Sequence, residues 1–169
     1  EVEDGVTGFA HFFEHMMFRG TDRYSQEEYA AVLKSTGAAA NANTTQDRTE
    51  YHMTGNAEKL ELMFELEADR FMNLNYSEHD FKTEAGAVKG EYTKNFASPY
   101  QQLYEKWLET AFTTHTYGHT TMGYFDDIVD MPTDLLPRAK ARRFEGPFLL
   151  RLIGMDRAMA EIAVTWHTA

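Results

Sequence analysis

Cysteine is missing from the chain altogether, and with it go a disulfide framework, a thiolate ligand for any metal and a cysteine nucleophile. The compartment stays open, since cytosol, organelle and periplasm all suit such a composition. No G-x-S-x-G turn is present either, so a serine nucleophile has no support. Apolar runs stop well short of the length that crosses a bilayer, which argues against a membrane span. No signal peptide is visible, and this says little because the chain opens in Glu1-Val2-Glu3-Asp4-Gly5 and almost at once enters a histidine-bearing helix. Basic residues are scarce: 16 Lys and Arg face 27 Asp and Glu, for a formal charge of −11. Phosphate backbones would be repelled, which argues against nucleic acid as a partner. Repeats and low-complexity linkers are also lacking. The 169 residues fit one domain, 1–169, with ample apolar content for a core.

Local patterning alternates helices with a short β unit. Ser25 followed by Glu28 is a capping pair for a helix running to about Ser35 before Gly37 ends it. The period then changes. Residues 38–45 and 48–54 read as two strands, the second alternating through Thr49, Tyr51 and Met53, joined by the polar turn Thr45-Gln46-Asp47. A helix is expected over 57–73, with Leu60, Met63, Phe64, Phe71 and Leu74 near one apolar stripe. Two more are expected over 78–97 and 100–112, broken at Ser98-Pro99. Residues 113–123 read as a loop. Beyond Pro132 the expectations are a helix over 134–144, a strand over 148–153, a short helix over 156–162 and a strand over 163–166. An acidic cleft would suit basic peptides, but Glu58, Glu61, Glu65, Glu67 and Asp69 fall in one expected helix and read first as its solvated face.

His11-Phe12-Phe13-Glu14-His15 is the most informative stretch. On a helix His11 and His15 lie four residues apart on one face, close enough for both rings to reach one Zn²⁺. Glu14 sits at the edge of that face, able to touch a water at the metal without being a ligand. This is H-x-x-E-H, the H-E-x-x-H zinc motif read backwards. A third ligand is required, and a fourth position stays open in a catalytic site. Candidates are His52, His79, His115, His119, His167 and the carboxylates. Glu84 and Glu91 stand out among these, since two helical turns separate them and they share a face.

With these residues the sequence resembles the pitrilysin and insulinase-type metallopeptidases, the inverzincins, which include the mitochondrial processing peptidases. The resemblance also rests on Gly8-Phe9-Ala10, Met16-Met17-Phe18-Arg19-Gly20-Thr21, the 37–45 segment and Tyr117-Gly118-His119. It covers about residues 5 to 131, and the tail 132–169 matches weakly. It implies an α+β fold, an antiparallel sheet packed against several helices, like half of an insulinase or processing-peptidase domain without its opening strands. It implies one Zn²⁺ per chain, with His11, His15 and Glu91 as the metal ligands. Glu14 and Glu84 are then the catalytic acids, Glu14 exchanging the proton between water and the leaving amine and Glu84 fixing a ligand histidine or the helix that carries Glu91. No metal role falls to His115 or His119.

The small-residue segment Ala38-Ala39-Ala40-Asn41-Ala42-Asn43, if an edge strand, would let an extended peptide pair with its backbone. In the resembling family the corresponding strand docks substrate, which makes Asn41, Ala42, Asn43 and Thr44 the substrate-binding residues. The function implied is a zinc-dependent endopeptidase hydrolysing peptides or unfolded protein segments; the alternative is a non-catalytic peptide-binding subunit or inactive fragment of the same fold. A purely structural zinc site fares worse, because three ligands leave a position open. The expected partners are a peptide substrate and a second homologous half or subunit that completes the active site. The resemblance favours a bacterial periplasm or cell envelope, with the mitochondrial matrix as alternative.

Overall fold

A computed structural model of the chain describes residues 5–130, 132, 148–153 and 159–167. The first helix, α1 (Phe9–Met16), starts at Gly8, whose φ of +83° places it in the left-handed region. A Cβ there would lie 2.1 Å from the Met122 carbonyl oxygen, so a side chain is excluded by both strain and space. Helix α2 (Gln26–Thr36) carries the expected capping box: the Glu28 N–H donates to Ser25 Oγ at 3.2 Å, and the Ser25 N–H donates to the Glu28 carboxylate at 2.8 Å. Gly37, at φ +71°, closes it. Strands β1 (Ala39–Thr44) and β2 (Arg48–Asn56) follow, then a single 3₁₀ turn, Ala57–Lys59, leading into α3 (Leu60–Asn73). Ser77 and Asp80 form a second capping box at the start of α4 (Glu78–Phe96). Pro99 opens α5 (Pro99–Ala111), where its missing N–H costs nothing. A 3₁₀ turn at Thr116–Gly118, the short α6 (Phe125–Val129) and strands β3 (Phe148–Ile153) and β4 (Met159–His167) complete the described elements.

The architecture is α+β. One antiparallel sheet runs in the order β1-β2-β4-β3, with β1 at an edge. β2 buries Thr49, Tyr51, Met53 and Gly55 on one face, the alternation expected of a strand with one side on a core. β1 alternates too: Ala40 and Ala42 turn toward the core clusters while Ala39, Asn41 and Asn43 are exposed. The main cluster joins α1, β2, α4 and α6 through Phe12, Met16, Tyr51, Phe81, Val88 and Ile128. A second cluster, Tyr29, Met53, Met63 and Leu66, holds α2 and α3 together beside β2. The α3 residues read as core include Met63, fully buried, with Leu60, Phe64 and Phe71 packed partly buried against these clusters.

Two expectations are corrected. The short helix over 156–162 is not formed where described: Met159 to Ile162 belong to β4, which pairs with β2 along all nine of its residues, from Asn56↔Met159 to Arg48↔His167. Unbroken cross-strand pairing with β2 along that length outweighs a local helical preference. The strand over 163–166 lies inside β4, and the strand over 148–153 is β3. The helix expected over 134–144 lies outside the described residues. The second correction concerns α3. Glu58 and Glu61 are exposed as expected, but Glu67 and Asp69 are 4% and 7% exposed. They face inward because the chain places donors there. Asp69 accepts from Thr21 Oγ1 at 2.5 Å and from Asn73 Nδ2 at 2.8 Å. Glu67 accepts from Tyr29 Oη at 3.1 Å and pairs with Arg70 Nη2 at 2.5 Å.

Arg70 is itself buried, its Cζ 4.8 Å from the ring centroids of both Phe18 and Tyr51. Nε and Nη1 have no hydrogen-bond acceptor among the described residues, so aromatic faces and the Glu67 carboxylate together compensate the buried charge. Removing one partner of such a pair strands the other. Glu67→Ala should therefore destabilise the protein by about 3–5 kcal/mol, whereas Glu58→Ala should stay within about 0.5 kcal/mol of wild type. Urea unfolding of the two variants measures this, and equal midpoints would refute the buried pair.

Candidate metal centre

Helix α1 is amphipathic over only two turns. Phe12, Phe13 and Met16 enter the core, which turns His11, Glu14 and His15 toward α4 and β1. Helix α4 buries Phe81, Glu84 and Val88, and its Phe81 ring meets Phe12 edge-on at 4.7 Å between centroids. With the two helices packed along this seam, Glu84 and Glu91 come to the imidazoles. His15 Nε2 lies 3.4 Å from Glu91 Oε2, and His11 Nε2 lies 3.7 Å from the same oxygen. The rings are 4.8 Å apart between centroids. His11, His15 and Glu91 are the one group of metal-capable side chains among the described residues, with one donor atom of each within 4.8 Å of the others.

The donor set fits zinc. Atoms bound at about 2.0–2.1 Å around a tetrahedral ion stand roughly 3.4 Å from one another, near the 3.4 and 3.7 Å that separate Glu91 Oε2 from the two imidazole nitrogens. Protonation fits as well. Burial first, then the neighbouring His15, push His11 down to about 4, so its ring is neutral at physiological pH and offers a lone pair. His15 Nδ1 lies 2.8 Å from Glu84 Oε1. A carboxylate only accepts, so the proton sits on Nδ1 and the Nε2 lone pair points to the side where Glu91 lies. The hydrogen bond to Glu84 raises the His15 pKa, and the same bond is the first cause that lowers that of Glu84.

Glu14 is not a member of the three-residue cluster. Its Oε2 accepts from Thr44 Oγ1 at 2.5 Å, and burial raises its pKa against the lowering effect of that bond. A carboxyl in this position has more base strength than an exposed one. Glu84 bonds to His15 rather than joining the cluster.

Three features escaped sequence reasoning. Arg19 donates from Nε to Glu84 Oε2 at 2.5 Å and also contacts that oxygen through Nη2. Its signal was its place four residues after His15: turn bonds from Phe18 and Arg19 N–H to the His15 and Met16 carbonyls carry the chain onward, so Arg19 follows His15 on the same side. Thr49 stands opposite Thr44 in the hairpin register, 3.1 Å between hydroxyls. Thr44 belongs to the expected docking strand, and its side chain is turned to Glu14. Asn41 and Asn43 are exposed and Ala42 packs against the core.

His52, His79, His115 and His119 do not belong to the cluster. His52 pairs with Asn41 in the β1–β2 ladder, and His79 is exposed at the start of α4. His115 accepts the Tyr117 N–H at 3.2 Å, and His119 Nδ1 lies 2.7 Å from the Thr120 carbonyl. His167 ends β4.

A sheet with helices on it, two imidazoles and a carboxylate gathered at a helix seam and a further acid alongside make a metallopeptidase type of domain. The sequence pattern of the family described as Insulinase (Peptidase family M16) matches residues 3–124, and the chain belongs to that family. It is 33% identical over 125 residues to the zinc protease PqqE of Helicobacter pylori, covering 73% of this chain and 28% of that protein. It is 26% identical over 140 residues to the human mitochondrial-processing peptidase subunit beta, covering 83% of this chain and 29% of the other. A crystal structure of a protease from Helicobacter pylori superposes with a TM-score of 0.80 at 30% identity, over 85% of this chain and 35% of that one. The chain thus spans less than a third of the length of these two curated relatives.

Metal binding by the three-residue cluster has a direct test by calorimetry and metal analysis. Replacing His11 or His15 with Ala should abolish tight zinc binding. Glu84→Gln should weaken it about 10- to 100-fold, the usual cost of losing a group that orients a ligand, and Glu91→Gln should weaken it more. Equal losses in the two glutamate variants would refute the division between ligand and supporting acid.

Proposed function

We propose that this chain is the zinc-binding catalytic part of an endopeptidase that hydrolyses peptides or unfolded protein segments. The observation that supports it most is the convergence of His11, His15 and Glu91 donors within 4.8 Å, with Glu14 beside them on the same helix. In this reading His11, His15 and Glu91 hold one zinc ion, which supplies Lewis-acid polarisation of the scissile carbonyl and makes a water easier to deprotonate. Glu14 takes the proton from the attacking water and delivers it to the leaving amine. Glu84, clamped by Arg19, keeps the His15 ring in the tautomer that binds metal. The edge of β1, through Asn41 to Thr44, pairs with an extended substrate; edge position and small inward side chains support this.

The partners we propose are the peptide and a second homologous half or subunit that closes over it. A mitochondrial-processing peptidase relative named as a subunit supports the second partner. We propose residues 1–169 as one catalytic domain, in a bacterial periplasm or cell envelope, with the mitochondrial matrix as second reading. The intact Glu14 and both histidines favour catalysis over a peptide-binding subunit, which would have no chemical need for that set.

Glu14→Gln should keep zinc, because Glu14 lies outside the cluster, and should remove hydrolysis by the assembled enzyme. The zinc-loaded chain by itself should cleave poorly, since a donor to the developing oxyanion from a second half is typically worth about 10²–10³ in rate. Assays of the purified chain with and without the C-terminal half of a related peptidase decide this. Activity that appears on mixing agrees with the reading, and robust cleavage by the isolated monomer contradicts the need for a second half.

A further inference from the structure

Glu14 has to hold its carboxylate toward a reacting water, yet a glutamate side chain turns about three bonds and its helix fixes only the first atom. Another element supplies the missing constraint. Thr44 Oγ1 lies 2.5 Å from Glu14 Oε2, and Thr49 Oγ1 lies 3.1 Å from Thr44 Oγ1. In its proton-accepting form Glu14 can only accept, so the single hydroxyl proton of Thr44 is committed to it. Thr49 must then be the donor in the second bond. The order of donation is Thr49 to Thr44 to Glu14.

The supports of this short chain are rigid. Thr44 and Thr49 are directly paired across the β1–β2 hairpin, where threonine pairs stabilise the strands, and Thr49 is 1% exposed. The hairpin is closed just beyond them by the Thr45 N–H donating to the Arg48 carbonyl at 2.8 Å. One oxygen of Glu14 is thereby pinned from the sheet. Its other oxygen, Oε1, has no hydrogen-bond partner among the described residues and stays available for the water.

We propose that Thr44, oriented by Thr49, is a positioning residue that fixes the carboxylate of Glu14 for proton transfer. This rests on the endopeptidase reading above and adds a side-chain role to a residue otherwise assigned through its backbone. It also couples two parts of the site, since the strand proposed to dock the peptide is the one that aims the base.

The test uses the zinc-loaded enzyme assembled with its second half, as wild type and as Thr44→Val, Thr44→Ser, Thr49→Val and Glu14→Gln. Thr44→Val keeps the shape and loses the hydroxyl; it should lower kcat about 10- to 100-fold while KM and zinc content change less than about threefold. Thr44→Ser should bring kcat back to within about threefold of wild type, and Thr49→Val should lower it to an intermediate value. Crystal structures of the same variants give a readout that needs no turnover: Glu14 in one rotamer in wild type and Thr44→Ser, and spread over several in Thr44→Val. Wild-type kcat in Thr44→Val, or an unchanged Glu14 rotamer there, would overturn the role of Thr44. Wild-type kcat in Thr49→Val would overturn that of Thr49. Undiminished cleavage by Glu14→Gln would instead remove the proton-transfer reading, and the rotamer comparison would still decide whether Thr44 orients Glu14.

Discussion

The apolar seam between α1 and α4 is the contact on which the rest of the site depends. Phe12 meets Phe81 edge-on, and Met16 and Val88 are fully buried. Each such side chain contributes roughly 1.5–3 kcal/mol when taken from water, so the seam resists sliding. Its consequence is geometric. The histidines spaced four apart on α1 and Glu91 on α4 converge, with Glu84 one heptad earlier reaching His15, only in this register. A slip of one turn, about 5.4 Å, would leave no single ion in reach of both imidazoles and Glu91.

Bringing ionisable groups to that seam carries a desolvation cost, and the structure offsets it by chaining them. His15, Glu84 and Arg19 form a line leading away from the candidate centre, each group bonded to the next. Glu14, Thr44 and Thr49 form a second line into the sheet. The same device recurs away from the site, where Tyr29 and Arg70 satisfy Glu67 inside α3 and aromatic rings cover the remaining face of the guanidinium. His11 differs. Its Nδ1 is buried with no partner among the described residues, and burial keeps the ring neutral instead.

The loop after α5 also serves α1. Gly8 and Gly123 let the two backbones approach closely, and Thr7 bonds to Asp127 and accepts the Tyr124 N–H at 2.9 Å. These contacts hold the start of α1 in place before its first histidine. The Tyr117 hydroxyl adds a link from the same loop to the hairpin turn, donating to Asp47 at 2.5 Å. Both neighbours of the candidate centre, helix and hairpin, are thus tied to one loop.

Much of this was legible in the sequence, for a physical reason: caps, strand alternation and one-face spacing are local rules, set within a few residues of one another. Ser25 with Glu28, the Thr49-Tyr51-Met53 alternation and the four-residue spacing of His11 and His15 belong to that class. So does the seven-residue spacing of Glu84 and Glu91, although assigning Glu91 rather than Glu84 to the ligand set needed the resemblance to a family. Pairings between distant segments were not legible. Which acids of α3 turn inward depends on where Tyr29 and Thr21 arrive. That 159–162 extends into a strand depends on β2 offering it a ladder. Arg19 on Glu84 and Thr44 on Glu14 join residues 65 and 30 positions apart. Such contacts are decided by how packed elements meet, because a hydrogen bond requires a particular distance and direction that no local pattern of residues encodes.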